Sequence, residues 1–398
     1  MLNRTRRLIS AMVWLLAASG VGFGQANAQQ APPVWLSEGP YVDEQTFSLE
    51  LPLEQVGRKL YVSVELGGKP RRFVFDTGSP SMISRALADE LGLEAVDTRQ
   101  GRDSHGAIVE SQIVQAPITL GDVTFHKVPM FTADISPSLA MQCLVGDGVL
   151  GSELLPLCAW QIDKPEQMLR CNSRLEQLDH VDNADRQRLY SFGYPHTPYL
   201  DVQLAKDARS KAMFDTGSPE YLALSPPDFE GTRRSNGISG TTQGYGSLGT
   251  SLGGQAPQAP QLRAGLKSFA IGGVDLGAIN AHVREAPPSL IGAPILDHYV
   301  VTLDHRSESA FFSSYRKGPF RRPTFGFYLG FDQAFTISLV WDKSPAAKAG
   351  LPVGQVVTSI NGQAPAYSCS GIKHALEALS GEQIELDWQG GSARLRSM

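Results

Sequence analysis

The chain has no long block of basic residues, and its 35 Lys and Arg are outnumbered by 40 Asp and Glu. A formal net charge of −5 without basic clusters excludes the electrostatic footprint that holds nucleic acid or an anionic membrane surface. Cysteines are scarce, four in 398 residues, and the eight histidines are scattered, none spaced from a cysteine as a zinc site requires. No metal and no cofactor are expected. Long hydrophobic runs are missing after position 28, so no stable membrane span is expected in the remainder of the chain. Glycine and proline, at 40 and 26, are in good supply, which suits a chain of many short elements separated by turns.

Segment 1–28 reads as a removable leader. Arg4, Arg6 and Arg7 precede the mostly apolar stretch 8–22, and Ala26-Asn27-Ala28 fits a small-residue cleavage site. An exported protein, periplasmic or secreted, is therefore expected, and losing three arginines moves its net charge from −5 to −8. Export permits disulfides. Cys158 and Cys171 flank a hairpin turning at Asp163–Pro165 and are a candidate pair, although spacing alone does not fix connectivity.

Beyond the leader, the chain contains the peptide Phe-Asp-Thr-Gly-Ser-Pro twice, at 75–80 and 214–219. Other landmarks repeat around it. A strand beginning at Tyr61 leads to Asp76, and one beginning at Tyr199 leads to Asp215 over nearly the same distance. Apolar-apolar-Gly triplets, Val149-Leu150-Gly151 and Leu290-Ile291-Gly292, come at closely matched offsets after the two aspartates. A strand-ending acid, Asp163 or Asp304, lies equally far beyond each triplet glycine. Four landmarks in one order at matched spacing indicate an internal duplication of a β-rich unit. The expected organisation is a leader at 1–28, an N-terminal extension at 29–58, a first lobe at 59–172 and a polar linker at 173–197. A second lobe at 198–318 and a C-terminal module at 319–398 complete it. The extension is acidic and reads either as an edge strand or as a removable pro-segment, while 243–264, rich in Gly, Gln, Pro and Ser, reads as a mobile loop.

Each repeat delivers one carboxylate, Asp76 or Asp215, on a turn above an apolar strand. Gly78 and Gly217 permit close backbone approach and special dihedral angles. Ser79 and Ser218 are expected to donate to the outer carboxylate oxygens, and Thr77 and Thr216 to bond across the lobe interface. Two carboxylates about 3 Å apart cannot both ionise, so they share a proton. One then acts as general base on a water while the other protonates a carbonyl oxygen. Asp163 and Asp304 read as strand-end turn residues, and His126, His180, His282 and His374 as structural or surface groups.

These paired turns resemble those of the pepsin-like and retropepsin-like aspartic peptidases, and the resemblance covers both lobes. It implies a mainly β, bilobal acid-protease fold of two duplicated barrel-like lobes, with Asp76 and Asp215 as the catalytic dyad and Thr77, Gly78, Ser79, Thr216, Gly217 and Ser218 as its support. It also implies peptide or protein substrates and a hairpin flap over them. Pepsin-like enzymes carry a tyrosine on the first-lobe flap, and the corresponding segment here, 102–107, has none. The flap candidates are His105 and Gly106, with Tyr245 in the second copy; His105 and Tyr245 stand at nearly equal offsets beyond the two aspartates.

Residues 324–398 resemble a PDZ domain of the bacterial type, a small α+β fold. The resemblance rests on Tyr328-Leu329-Gly330-Phe331, on the helix Ser-Pro-Ala-Ala-Lys-Ala-Gly-Leu ending at Leu351, and on Ile360-Asn361-Gly362. It implies a carboxylate-binding loop at 328–331 that receives peptide C-termini, although only 332–335 separate that loop from the next strand. A structural or autoinhibitory role stands beside that one. The expected function is an exported aspartic endopeptidase; the alternative is an inactive exported adaptor that binds peptides through the cleft and the PDZ-like module. Self-processing within 29–58 is not supported, because the pro-segments of pepsin-type enzymes block the dyad with basic side chains and this one is acidic.

Overall fold

A computed structural model describes residues 33–398. The expected leader and residues 29–32 lie outside the described residues. The protein is mainly β, with two barrel-like lobes and a small C-terminal α+β module. Among the described residues no helix is long and apolar enough to cross a membrane.

The first lobe is an eight-stranded sheet. Its order runs Glu54–Val56, Lys59–Leu66, Lys69–Phe75, Gly148–Leu150, Met82–Ser84, Val123–Ala133, Ile108–Leu120, Ala95–Arg102. A further pairing of Glu65 with Thr119 curls the sheet back on itself. The second lobe repeats the plan with Tyr199–Ala205, Ala208–Asp215, Ser289–Gly292, Leu222–Leu224, Val274–Val283, Ala259–Ile271 and Ile238–Gly246, closed by pairing of Tyr199–Ala205 with Ala259–Ile271. In both lobes the strand leading to the aspartate runs parallel to the triplet strand, with Phe75 opposite Leu150 and Asp215 opposite Gly292. Parallel strands buried on both faces read as continuous apolar runs, which is why Phe73-Val74-Phe75 and Ala212-Met213-Phe214 show no alternation.

The duplication extends to packing. Tyr61, Val74 and Val149 form a small buried cluster in the first lobe, and Tyr199, Met213 and Leu290 form its counterpart in the second. Each is made from the leading strand, the strand that ends at the aspartate and the triplet. The lobes are joined by six successive strands of a 15-stranded sheet that continues into the second lobe, ordered Ser48–Pro52, Met168–Asn172, Ala159–Asp163, Tyr299–Asp304, Ser309–Ser314, Asp185–Tyr190. The central pair of the six joins equivalent strands antiparallel, Trp160 opposite Leu303 and Ile162 opposite Val301, so a pseudo-twofold axis passes between them. Trp160, Phe75 and Phe125 pack together there, fully buried, each worth roughly 2–3 kcal/mol in apolar surface removed from water.

Segments outside the two expected lobes also contribute strands to this sheet. The acidic extension contributes Ser48–Pro52 as an edge strand, and Trp35 Nε1 donates to Asp97 while Tyr41 stacks on His126. It is woven into the first lobe, which does not suit a removable segment. The linker 173–197 contains the strand Asp185–Tyr190, which pairs with Ser309–Ser314 and, through Leu189 and Tyr190, with Tyr199–Ala205. Its polarity hid it, because its charged side chains face solvent and Leu189 alone is buried. Asp163 and Asp304 end the two central strands and bind Arg170 and Arg306.

Cys158 and Cys171 form a disulfide across the first-lobe hairpin, with Cα atoms 5.8 Å apart. A second disulfide, not evident from the sequence, joins Cys143 to Cys369, with Cα atoms 5.1 Å apart. It ties the first-lobe helix Leu139–Val145 to the helix Cys369–Ala378 of the C-terminal module, and Leu139, Ala140 and Leu144 join the module's own hydrophobic core.

Candidate active site

The two repeated turns face each other across the pseudo-twofold axis. Thr77 Oγ1 donates to the carbonyl of Phe214 (2.7 Å) and accepts from Thr216 N (3.1 Å). Thr216 Oγ1 donates to the carbonyl of Phe75 (2.8 Å) and accepts from Thr77 N (3.0 Å). Both threonines are buried, so this reciprocal set of four bonds fixes the turns in a low-dielectric setting where each bond is expensive to break. The triplets support them from below. Asp76 N donates to Leu150 O, Ser152 N to Ser79 O and Ala293 N to Ser218 O, all at 3.0 Å.

Asp76 and Asp215 are thereby brought together on a partly exposed floor. Asp76 accepts from Gly78 N (3.0 Å), and Asp215 accepts from Gly217 N (2.8 Å) and Ser218 N (3.1 Å). A Cβ added at Gly78 would collide with the carboxyl carbon of Asp215, and one at Gly217 with the carboxylate of Asp76. Close approach is what these glycines supply, since neither has a positive φ. The serines differ from expectation. Ser79 Oγ donates to Pro80 O, and Ser218 reaches Asp215 through its backbone N–H.

Burial and the neighbouring Asp76 charge both push Asp215 well above the usual carboxylate range, with Lys59 pulling the other way. Both causes favour the protonated form of Asp215. Lys59 Nζ donates to Gly217 O (3.0 Å) and Arg58 to Pro219 O (3.2 Å), so two first-lobe cations grip the second-lobe turn. Sequence reading missed both.

Two further carboxylates lie beneath the turns. Glu153 is 1 % exposed and accepts from Ser81 N (2.8 Å), Ser81 Oγ (3.0 Å) and Tyr194 OH (3.0 Å). Burial without a cation pushes it up to about 7. Glu220 lies near Arg58 (3.7 Å) and Arg263 (3.5 Å) and accepts from Tyr328 OH (2.8 Å). The available signals were a lone acid inside the apolar run 149–157 and the divergence of the two copies immediately after their shared proline.

The flap candidates fall on hairpin ends. Ala95–Arg102 and Ile108–Leu120 form a hairpin whose tip holds His105 and Gly106, the glycine at φ +82°. His105 is half-buried near Asp103 and Glu285. Ile238–Gly246 and Ala259–Ile271 form the second hairpin. The stretch 243–264, expected as a mobile loop, is mostly strand: Gly244 and Gly246 pair on both sides, with Ala259–Ile271 and Thr336–Trp341, and a Cβ at either would strike the neighbouring strand. A small hairpin of Thr250–Ser251 and Gly254–Gln255 caps it. The two tips touch: Asp103 accepts from Ser251 Oγ and from Gly253 N (2.9 Å). Tyr245 lies opposite Val340 of the C-terminal module, its side chain exposed.

The module's expected carboxylate loop is also different. Tyr328, Leu329 and Gly330 belong to the strand Phe327–Gly330, paired with Thr336–Trp341. Leu329 and Phe331 are core residues, and the Tyr328 hydroxyl is committed to Glu220. The short spacing to the next strand leaves just enough chain for a hairpin, so these residues pair instead of forming an open loop.

Comparison with known families agrees with this arrangement. A family model of aspartyl proteases matches residues 62–154, a span holding Asp76 and the first triplet. A PDZ domain model matches residues 336–390. The chain therefore carries an aspartyl protease domain and a PDZ domain. No curated protein matches the chain.

Proposed function

We propose that the protein is an exported aspartic endopeptidase in which Asp76 and Asp215 share a proton and activate water against a peptide carbonyl. The observation that carries this reading is the pair of identical aspartate turns packed face to face, held by four reciprocal threonine bonds and with each turn glycine against the opposite carboxylate. A carboxylate pair at one proton is the state that general acid–base catalysis needs: the ionised oxygen takes a proton from water, and the protonated one donates to the carbonyl oxygen. The tetrahedral species collapses with return of a proton to the leaving amine. No covalent intermediate is formed and no cofactor is called for.

Export is supported by the leader-like segment 1–28 and by two disulfides, which persist in oxidising compartments. The hairpins that meet through Asp103 supply the cover over the cleft, and an extended peptide is the substrate shape that fits between two such arms. Digestion of a peptide library by the mature protein, with Asp76→Asn and Asp215→Asn as controls, tests the reading. Cleavage lost in both variants supports it; equal cleavage, or none by the unaltered protein between about pH 3 and 7.5, refutes it.

A further inference from the structure

The two copies are identical through Pro80 and Pro219 and diverge at the next position, Ser81 against Glu220. In both lobes this position closes the aspartate turn over the triplet glycine. A Cβ on Gly151 would strike the Ser81 amide, and one on Gly292 would strike the Glu220 carbonyl. The first turn is closed internally, by bonds from the Ser81 amide and hydroxyl to Glu153 of its own lobe. The second is closed from outside. Glu220 faces Arg58 of the first lobe, Arg263 of the second-lobe hairpin and Tyr328 of the C-terminal module, with His282, which burial keeps neutral, beyond.

We propose that Glu220 is a positioning residue through which the C-terminal module sets the geometry of the Asp215 turn. The inference rests on the dyad reading above. The bonds run in series: Tyr328 OH donates to Glu220 Oε1, Glu220 holds Arg58, and Arg58 donates to Pro219 O beside it. Arg263 locks the outer end, donating to Tyr328 OH (2.8 Å) and stacking on Trp341 with its guanidinium carbon 4.1 Å from the ring centroid. The Glu220 and Arg263 side chains are 24 % and 19 % exposed, so their pairing is partly withdrawn from solvent screening, whereas Arg58 is the more exposed link of the series. Burial acts to raise its pKa, but Arg263 and Arg58 outweigh that and keep it ionised.

The module can act through Tyr328 because its own position is fixed independently. Its strand Thr336–Trp341 pairs with the second-lobe hairpin, with Gly244 opposite Trp341 and Gly246 opposite Leu339. Thr250 Oγ1 donates to Asp332 (2.6 Å), and the Cys143–Cys369 disulfide ties the module to the first lobe. The phenol of Tyr328 is therefore presented to Glu220 by a framework that grips both lobes.

The test uses the full mature chain with Glu220→Gln and Tyr328→Phe, singly and together, beside Asp76→Asn. Tyr328→Phe keeps the ring and removes only the hydroxyl. Expected are a fall in kcat of about 10- to 100-fold for Glu220→Gln and a smaller fall for Tyr328→Phe, with KM nearly unchanged, because a misplaced carboxylate costs rate at the reacting geometry. The double variant should be no worse than Glu220→Gln alone, since both act through one chain of contacts. Hydrogen exchange supplies a readout independent of turnover: amides of 214–218 should exchange faster in both variants while those of 75–79 do not change. Full kcat with a lowered Tm, or equal exchange at both turns, would overturn the proposal. Absence of cleavage by the unaltered protein would count against the dyad reading alone, and the exchange pattern would still decide the coupling.

Discussion

Asp76 and Asp215 stand on turns of identical sequence yet in unequal surroundings, because Lys59 and Arg58 reach only the second turn. Asp215 is raised by burial and by Asp76, so cleavage should fade as alkaline pH removes the shared proton; a pH–rate profile flat above neutrality would contradict this. Glu153 makes a separate prediction about stability. Its folded-state pKa of about 7 lies above its unfolded value, so the folded protein binds a proton that the unfolded chain has released. Stability should therefore fall as pH rises from about 4.5 to about 7, by about 3 kcal/mol from this group. Glu153→Gln should shrink the difference in Tm between about pH 5 and pH 7.5, and an unchanged difference would show that Glu153 is not responsible. The aspartates were legible because repetition marks them. Glu153 and Glu220 were not, since their partners Tyr194 and Tyr328 are remote in sequence and only the fold supplies them.

Two contacts between elements remote in sequence join the parts of the molecule: the meeting of the hairpin tips and the disulfide-linked helix pair. Asp103 accepts hydrogen bonds from both tips, and although burial opposes its charge, the donors from Ser251, Gly253, Ala107 and His105 keep its pKa below the usual range. The latch should persist into mildly acidic conditions. Asp103→Ala should speed hydrogen exchange at 103–107 and at 250–255 together, whereas a change confined to the first segment would show the tips to be independent. The helix pair carries the long disulfide. Cys143→Ser with Cys369→Ser should lower stability by roughly 2–5 kcal/mol, read by denaturant midpoint, given the long loop it closes. Equal midpoints would show that packing and strand pairing alone hold the module. Strand alternation and turn residues located most elements. The edge strand Ser48–Pro52 was legible as one of two alternatives, while Asp185–Tyr190, short and half-charged, read as linker. Edge strands face water on one side and read as polar connectors, so pairing partners distant in sequence decide them.

At the scale of the whole molecule, duplication explains most of what the sequence could tell. Matched spacings of strand, aspartate, triplet and acid correspond to two lobes related by an axis through Ala159–Asp163 and Tyr299–Asp304. What the spacing could not convey is how the third unit attaches. The C-terminal module extends the second-lobe sheet, bonds to the residue following the second turn and is stapled to the first lobe. It is attached to both lobes by strand pairing, side-chain bonds and a disulfide, so it is packed against the lobes and not merely tethered to them. All of this places one demand on the chain, that the paired aspartates perform chemistry together. The most direct measurement is the rate of peptide-bond cleavage by the mature protein compared with Asp76→Asn and Asp215→Asn at matched fold, verified by circular dichroism. The account predicts that each single substitution lowers kcat by about a thousand-fold or more and that the double variant is no worse. Cleavage that survives either substitution would contradict it.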